Sequence, residues 1–534
     1  MQHEYMEFRY AEISGDLPEP PTTDSVRAWV VRYPLSDKPG DQYGDEPMLA
    51  VSSLRPVAEM ATFASSNSSL DAVWGLVRYT LVAVSLDVNT DSNTRQRDLC
   101  HTDAYITSLG QMALSNNYGV QQMTAEDGFQ LDSNIWQGTT DFRSALVSLA
   151  YEQALYTGDL RLVAQRYDDL KMHSFVYFFN RDVGLVVKGS GTMGGSGCKC
   201  PASWSPAGMP PGIYEALNCK CEDLVDWPSG SRDGYVSAGN NASAVANSYI
   251  ALAAERMSVV AGWLGKTDDA SMFGSIASTI KTNLREKLYN KATGSFVDGL
   301  GIAHSSMHAT LFPAMAGAVN ETAAPGMGAA VVKTLREKGM KCSCMAAYWL
   351  LEGLYRMGIH TADAADLALE ILTSTDTNSW LNMIKQGATA TMEAWTTSEK
   401  GNASWSHPWC SGPNSVIIRL LLGVRPTEPG WKRFDFVPQP SSLEWINATV
   451  PSKLGTIPVT LKQTPTAITT SLHVPEGGTA RVCLPPPHAA ASAEQATEQQ
   501  LLVDGAAVAS VVEGRMLCAK TDLAAGLHTI ERSS

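Results

Sequence analysis

The chain has 534 residues, of which 44% are hydrophobic and 18% charged, and its formal net charge is -14. This is a globular composition with ample apolar side chain for a large core, which excludes disordered, collagenous and coiled-coil chains. No apolar run approaches the ~18 residues of a membrane span, and no Lys/Arg cluster stands out, so neither a membrane nor a nucleic-acid partner is expected.

The N-terminal MQHEYMEFRYAEISG lacks a basic stretch followed by an apolar one, so no signal peptide is expected and the compartment stays open. Residues 1–62 read as strands: RAWVVRY and MLAVSSLRPV are separated by the turn-rich PEPPTTD and SDKPGDQYGDEP. From Ser69 the period changes to helical, with Leu70, Val73, Trp74, Val77, Leu81 and Val84 on one face. A second helix is predicted from about Asp141, stopped by Gly158. A third is SAVANSYIALAAERMSVVAGWLGK, ending at Gly265-Lys266. ASMFGSIASTIKTNLREKLYN, MAAYWLLEGLYRMG and TADAADLALEILTS continue the helical text. Near Pro426 strands return, in RFDFVPQP, INATVPSKLGTIPVTL, AITTSLHVP, ARVCLPPP, VDGAAV and LHTIERSS. This part reads as an all-β sandwich. The long helical middle has no fixed sequence repeat, which favours a closed toroid of helix hairpins over a solenoid. The expected order is the tail of an N-terminal β-sandwich at 1–62, a mainly α barrel at 63–430, and a C-terminal β-sandwich at 431–534. The opening on strand text suggests that earlier strands of the first sandwich are absent.

Ten cysteines are too few for a disulfide scaffold. Cys198/Cys200, Cys219/Cys221 and Cys342/Cys344 form C-x-C pairs. Zinc sites favour C-x₂₋₄-C, so loop disulfides and packed thiols are preferred to a metal. No cofactor is expected. Sequons at Asn67, Asn241, Asn320, Asn402 and Asn447 are a weak hint of secretion.

Chemistry is expected in the polar loops that converge at one mouth of the toroid. The loop from Asp87 to Asp103 is the densest, with Asp87, Asp91, Asp98 and Asp103 beside Arg95 and Arg97. These groups make either a salt-bridged loop or a site for sugar hydroxyls and acid–base work, because a carboxylate accepts two hydroxyl bonds at once. LVDWPSGSRDGY places Asp226 and Trp227 beside Arg232, Asp233 and Tyr235. In ATATMEAWTTSEKGNASWSHPW, Glu393 stands beside Trp395, and His407 lies between Trp405 and Trp409. Trp136 is a core residue or an aglycone platform. His304 and His308 open a helix and read as core or capping histidines.

Taken together, DSNTRQR, DWPSGSRDGY, HSSMHATLFP, LTSTDTNSWLNMIKQGATATMEAW, SWSHPW and GVRPTEPGWKRFDFVPQP resemble glycoside hydrolase family 78, the α-L-rhamnosidases with a six-hairpin (α/α)₆ barrel. The resemblance runs from about Phe8 to the C-terminus. It implies an exo-acting, inverting hydrolase that releases terminal α-linked L-rhamnose. In such enzymes two carboxyls roughly 6.5–9.5 Å apart leave room for water between base and sugar. Glu393 matches the general base, Asp91 and Asp103 match sugar-binding carboxylates, and Trp227, Trp395 and His407 match pocket residues. Asp226 and Trp136 join the substrate-binding set. Two positions depart from the family's pattern. Gln96 stands where relatives carry the acid Glu, and Ser231 stands where relatives usually carry Glu. An amide has no proton to give at a useful pKa. Asp98, two residues on, is the alternative acid. A rhamnoside-binding protein that has lost catalysis is the competing reading.

Overall fold

Helices that are apolar all round must be buried, and helices with one apolar stripe must cover them. Both kinds alternate along this chain. The computed structural model describes residues 60–93, 95–129, 139–187, 223–237, 242–488 and 500–533, with a few isolated positions before 60. The helices are α1 (Ser68–Ala83), α2 (His101–Leu114), α3 (Gly119–Gly128), α4 (Thr140–Thr157), α5 (Arg161–Gln165), α6 (Tyr167–His173) and α7 (Ala244–Trp263). There follow α8 (Thr267–Asn283), α9 (Met307–Met315), α10 (Met327–Lys338), α11 (Cys344–Gly358), α12 (Ala362–Leu372), α13 (Trp380–Lys385) and α14 (Gly412–Val416). Every residue of α2 and α9 is buried. By contrast α8 buries only Phe273, Ala277 and Ile280, one stripe at helical spacing.

The buried helices α2, α4, α7, α9, α11 and α14 pack on one another in that order, and α14 returns to α2. This closes the inner ring of a six-hairpin barrel. Outside it, α3 packs on α2, α8 on α7, α10 on α9 and α12 on α11. Several inner helices start on a serine: the hydroxyls of Ser243, Ser306 and Ser343 accept the N–H groups of Ala246, Ala309 and Ala346. Each such cap is worth about 1 kcal/mol. The predicted stop of α4 at Gly158 is present, with φ of 74°. A π-helical turn, Ile417–Leu421, carries α14 toward the strands.

Strand text begins at Val424, a few residues before the expected 431. The strands are β1 (Thr62–Ser65), the short hairpins β2–β3 (Phe179–Asn180, Leu185–Val186) and β4–β5 (Tyr289–Asn290, Ser295–Phe296), then β6 (Val424–Pro426), β7 (Arg433–Phe436), β8 (Trp445–Ser452), β9 (Gly455–Gln463) and β10 (Ala467–Val474). The set ends with β11 (Thr479–Leu484), β12 (Leu501–Val503), β13 (Ala506–Ala507), β14 (Ser510–Glu513), β15 (Met516–Ala519) and β16 (Gly526–Ser533). One sheet has the order β1-β8-β9-β10-β16-β12-β13 and the other β14-β15-β11-β7-β6. Alternation drives this layer; β10, for instance, buries every second residue. The hairpin β14–β15, in SVVEGRMLCA, is absent from the sequence reading. β1 pairs with β8, Thr62 opposite Thr449, so the strand before the barrel completes the C-terminal sheet. The expected N-terminal sandwich tail otherwise lies outside the described residues.

Cys344 is bonded to Cys410 and Cys483 to Cys518, while Cys342 and Cys100 are buried thiols. One C-x-C pair is therefore split between a disulfide and a thiol. Cys198, Cys200, Cys219 and Cys221 lie outside the described residues. Among the described residues, no helix is long and apolar enough to cross a membrane, and no group of three or more His, Cys, Asp or Glu is placed to hold a metal.

Candidate active site

Hydrogen bonds tie the loops at the N-terminal ends of the inner helices together. The Asp141 carboxylate, at the start of α4, accepts the Val225 N–H at 2.8 Å. Asp233 accepts the Met307 N–H, at the start of α9, at 2.7 Å and Lys338 Nζ at 3.0 Å. The Tyr235 hydroxyl lies 2.6 Å from that of Ser243, the cap of α7. Asp226 is the hub. Its oxygens meet His308 Nε2 at 2.7 Å, the Ser343 N–H at 2.8 Å, the Trp227 N–H at 2.8 Å and the Ser343 hydroxyl. Asp226 is fully buried and is not among the residues that line the cavity at this end of the barrel; with these partners it fixes the Trp227 loop against α9 and α11. His308 is the core histidine expected of it. His304 is partly exposed and sits on Asp298 at 2.6 Å.

At this mouth lies a cavity of ≈ 370 Å³. Asp91, Asp103, Glu393, Arg95, Gln96, Lys400, His407, Trp227 and Trp409 all line it. Phe142, Leu224 and Cys100 form an apolar wall against which Trp227 packs. The loop before α2 thus meets residues some 300 positions later in the chain, and Glu393 and His407 join Asp91 and Asp103 as expected. Trp395 does not join them. It is buried beneath, its indole N–H donating to the Cys342 carbonyl at 2.8 Å and its ring set edge-on to Trp380. The resemblance placed Trp395 among the pocket residues, whereas Trp409 lines the cavity. Asp98 is exposed and does not line the cavity; its N–H donates to Asp91 Oδ1 at 3.0 Å. Trp136 lies outside the described residues.

The three cavity carboxyls differ in their partners. Glu393 receives Arg95 Nη2 at 2.9 and 3.0 Å, Lys400 Nζ, and the Ser404 N–H at 2.8 Å. Burial works against its ionisation, but His407, Lys400 and the Ser404 N–H outweigh it and hold the carboxyl below the usual range. Asp103 takes His407 Nε2 at 3.1 Å, and the His407 ring lies 4.5 Å from that of Trp409. Asp91 is 2% exposed, and burial, with Asp103 adding to it, pushes it up to about 6 against the pull of His407 and the N–H groups of Asp98 and Ser92. Burial and the charges of Asp103, Asp91 and Asp98 raise the Cys100 thiol far out of the reactive range.

Lys400, Phe142, Cys100 and Leu224 are cavity residues that the sequence alone does not single out. Phe142 carried only a helix stripe, and Lys400 sat in the featureless SEKGNAS. The spacing of seven between Glu393 and Lys400 gave no signal, because the segment between them is a loop. The sequon residue Asn402 also lines the cavity. Chemically, the site offers an ionised carboxylate, two further carboxyls that can accept hydrogen bonds, and flat apolar walls.

Comparison with known proteins agrees with the fold. Residues 214–419 match the family described as the bacterial alpha-L-rhamnosidase 6 hairpin glycosidase domain, and residues 423–499 match the bacterial alpha-L-rhamnosidase C-terminal domain. No curated protein matches the sequence. Among solved structures, the chain is similar to the alpha-L-rhamnosidase from Dictyoglumus thermophilum at a TM-score of 0.64 and 16% identity, over 91% of this chain and 53% of that one. It is similar to the Streptomyces avermitilis alpha-L-rhamnosidase complexed with L-rhamnose at 0.65 and 14%, over 89% and 42%. The Aspergillus terreus enzyme gives 0.64 and 16%, over 89% and 50%. At such identities the likeness speaks for the fold. The chain spans about half the length of these proteins.

Proposed function

Because the chain carries the six-hairpin glycosidase domain and the C-terminal domain of the bacterial α-L-rhamnosidases, we propose that it is an exo-acting α-L-rhamnosidase that inverts the anomeric centre. The observation that carries the reading is the gathering of Glu393, Asp91, Asp103, His407 and Trp227 on one cavity. In this account Glu393 is the general base. Its low pKa keeps it ionised, and Arg95 and Lys400 fix its direction. It removes a proton from water as the water oxygen attacks the anomeric carbon. Asp103 and His407 hold sugar hydroxyls, and Trp227 with its apolar wall faces the C6 methyl. The barrel, expected at 63–430, is the catalytic domain. The sandwich, expected at 431–534, braces it through β1.

Release of rhamnose from a nitrophenyl α-L-rhamnoside tests the reading. A rhamnoside-binding protein without turnover is the second reading, and Gln96 favours it. Rhamnose binding without any release would decide for that one.

A further inference from the structure

A hydrolase of this kind needs a proton for the departing oxygen, and neither acid expected from the sequence can give it. Gln96 lines the cavity, but it is an amide whose Oε1 is taken by Arg95 Nη2 at 2.6 Å. Asp98 does not line the cavity. Among the described residues, the cavity's carboxyls are Asp91, Asp103 and Glu393. Glu393 is bound to two cations and Asp103 to an imidazole. Among the described residues, Asp91 is hydrogen-bonded by neutral donors: its Oδ1 accepts the Asp98 N–H at 3.0 Å, and Oδ2 has a long contact, 3.4 Å, from the Ser92 hydroxyl.

We propose that Asp91, protonated on Oδ2, is the general acid of this cavity. The inference rests on the hydrolase reading above. In the step, the Asp91 Oδ2–H proton passes to the glycosidic oxygen as the bond from that oxygen to the anomeric carbon breaks, its electron pair going to the oxygen. Water bonds to the anomeric carbon and loses its proton to Glu393. Asp91 ends as carboxylate and Glu393 as acid, and solvent exchange restores both. The charged and titratable neighbours of Asp91 agree with this assignment. Burial is the largest influence, the Asp103 carboxylate adds to it, and His407 opposes both without prevailing, so Asp91 titrates near 6. Cys100 nearby stays a neutral thiol. Carboxyls driven apart in this way take the acid and base roles of a pair.

The test compares two substrates, a nitrophenyl α-L-rhamnoside, whose leaving group needs no proton, and a rhamnosyl disaccharide, whose leaving group does. Asp91→Asn is expected to lower the disaccharide-to-nitrophenyl ratio of kcat by about 10²–10⁴, the usual worth of a general acid. Asp98→Asn is expected to leave that ratio where it was. In the wild type, kcat/KM for the disaccharide should fall as pH rises through about 6, with a weaker fall for the nitrophenyl substrate. That profile reads the proposal even if Asp91→Asn folds poorly. A ratio unchanged in Asp91→Asn, with KM raised for both substrates alike, would overturn the proposal and leave Asp91 as a sugar-holding residue. So would a wild-type profile with no fall near 6 for the disaccharide. Wild type that cleaves neither substrate defeats the hydrolase reading itself, and this proposal with it.

Discussion

The barrel has a charged cavity at each end, and the two are built on opposite plans. At the mouth formed by the N-terminal ends of the inner helices, carboxyls face the cavity. At the far end, a cavity of ≈ 280 Å³ is lined by Arg356, Arg419 and Arg425, where α9, α11 and the π turn finish. Cations suit helix C-terminal ends. Each of these arginines has a fixed acidic partner: Arg356 lies 3.4 Å from Glu352, Arg419 2.9 Å from Glu152, and Arg425 3.1 Å from Asp435. Arg256 adds a bond of 2.8 Å to the Tyr105 hydroxyl, and the Tyr348 hydroxyl donates to Glu352 at 2.7 Å. Burial opposes the ionisation of Glu352, but Arg356, Arg256 and Arg419 override it. At the near mouth the balance is incomplete, since among the described residues Asp91 has no Lys or Arg partner. A network in which each acid is held by a cation holds a fold together, whereas one carboxyl left without such a partner can move a proton.

Substitutions at the two ends should therefore fail differently. Glu393→Gln should lower kcat on nitrophenyl rhamnoside by about 10²–10⁴ in protein that still folds, because water loses its proton acceptor. Full activity in that variant would remove Glu393 from the mechanism. At the far end, Glu152→Gln leaves Arg419 and Arg256 without their carboxylate and should cost about 3–5 kcal/mol in a urea titration, with the substrate ratio unchanged. A loss of turnover without loss of stability there would erase the distinction between the ends.

Asp91→Asn sharpens it. The folded pKa of Asp91 is raised, so its contribution to stability is fully present below the unfolded value and is lost as pH rises through about 6. An asparagine escapes that loss. The variant should be more stable than wild type by about 1–3 kcal/mol at pH 7–8 and no different near pH 4, as denaturation at the two pH values would read. The smallest effect is expected from Ser343→Ala. It removes the cap of α11 and one bond to Asp226, and should lower stability by about 1–2 kcal/mol in the same titration.

Local periodicity made most of the architecture legible. The largely apolar text of α11 and the alternation of β10 each state their own environment, and Gly158 marks its helix end. The β14–β15 hairpin escaped because VV and MLC are too short to show a period, and their pairing with β11 is a long-range event. The site was legible as a set of residue types, but its electrostatics were not. Arg95 reaches Glu393 across 298 positions, and no local pattern says which carboxyl receives a cation. Asp226 and Trp395 are buried away from the cavity lining for the same reason. Their neighbours in sequence face the cavity, while their own partners, His308, Ser343 and Cys342, come from other hairpins and draw them inward.

The most direct test of the central claim is proton NMR of the first sugar released from a nitrophenyl α-L-rhamnoside, recorded before mutarotation. The account predicts β-L-rhamnose from the wild type and no sugar above background from Glu393→Gln. Initial α-L-rhamnose, or a Glu393→Gln variant that still releases the β anomer at the wild-type rate, would contradict it.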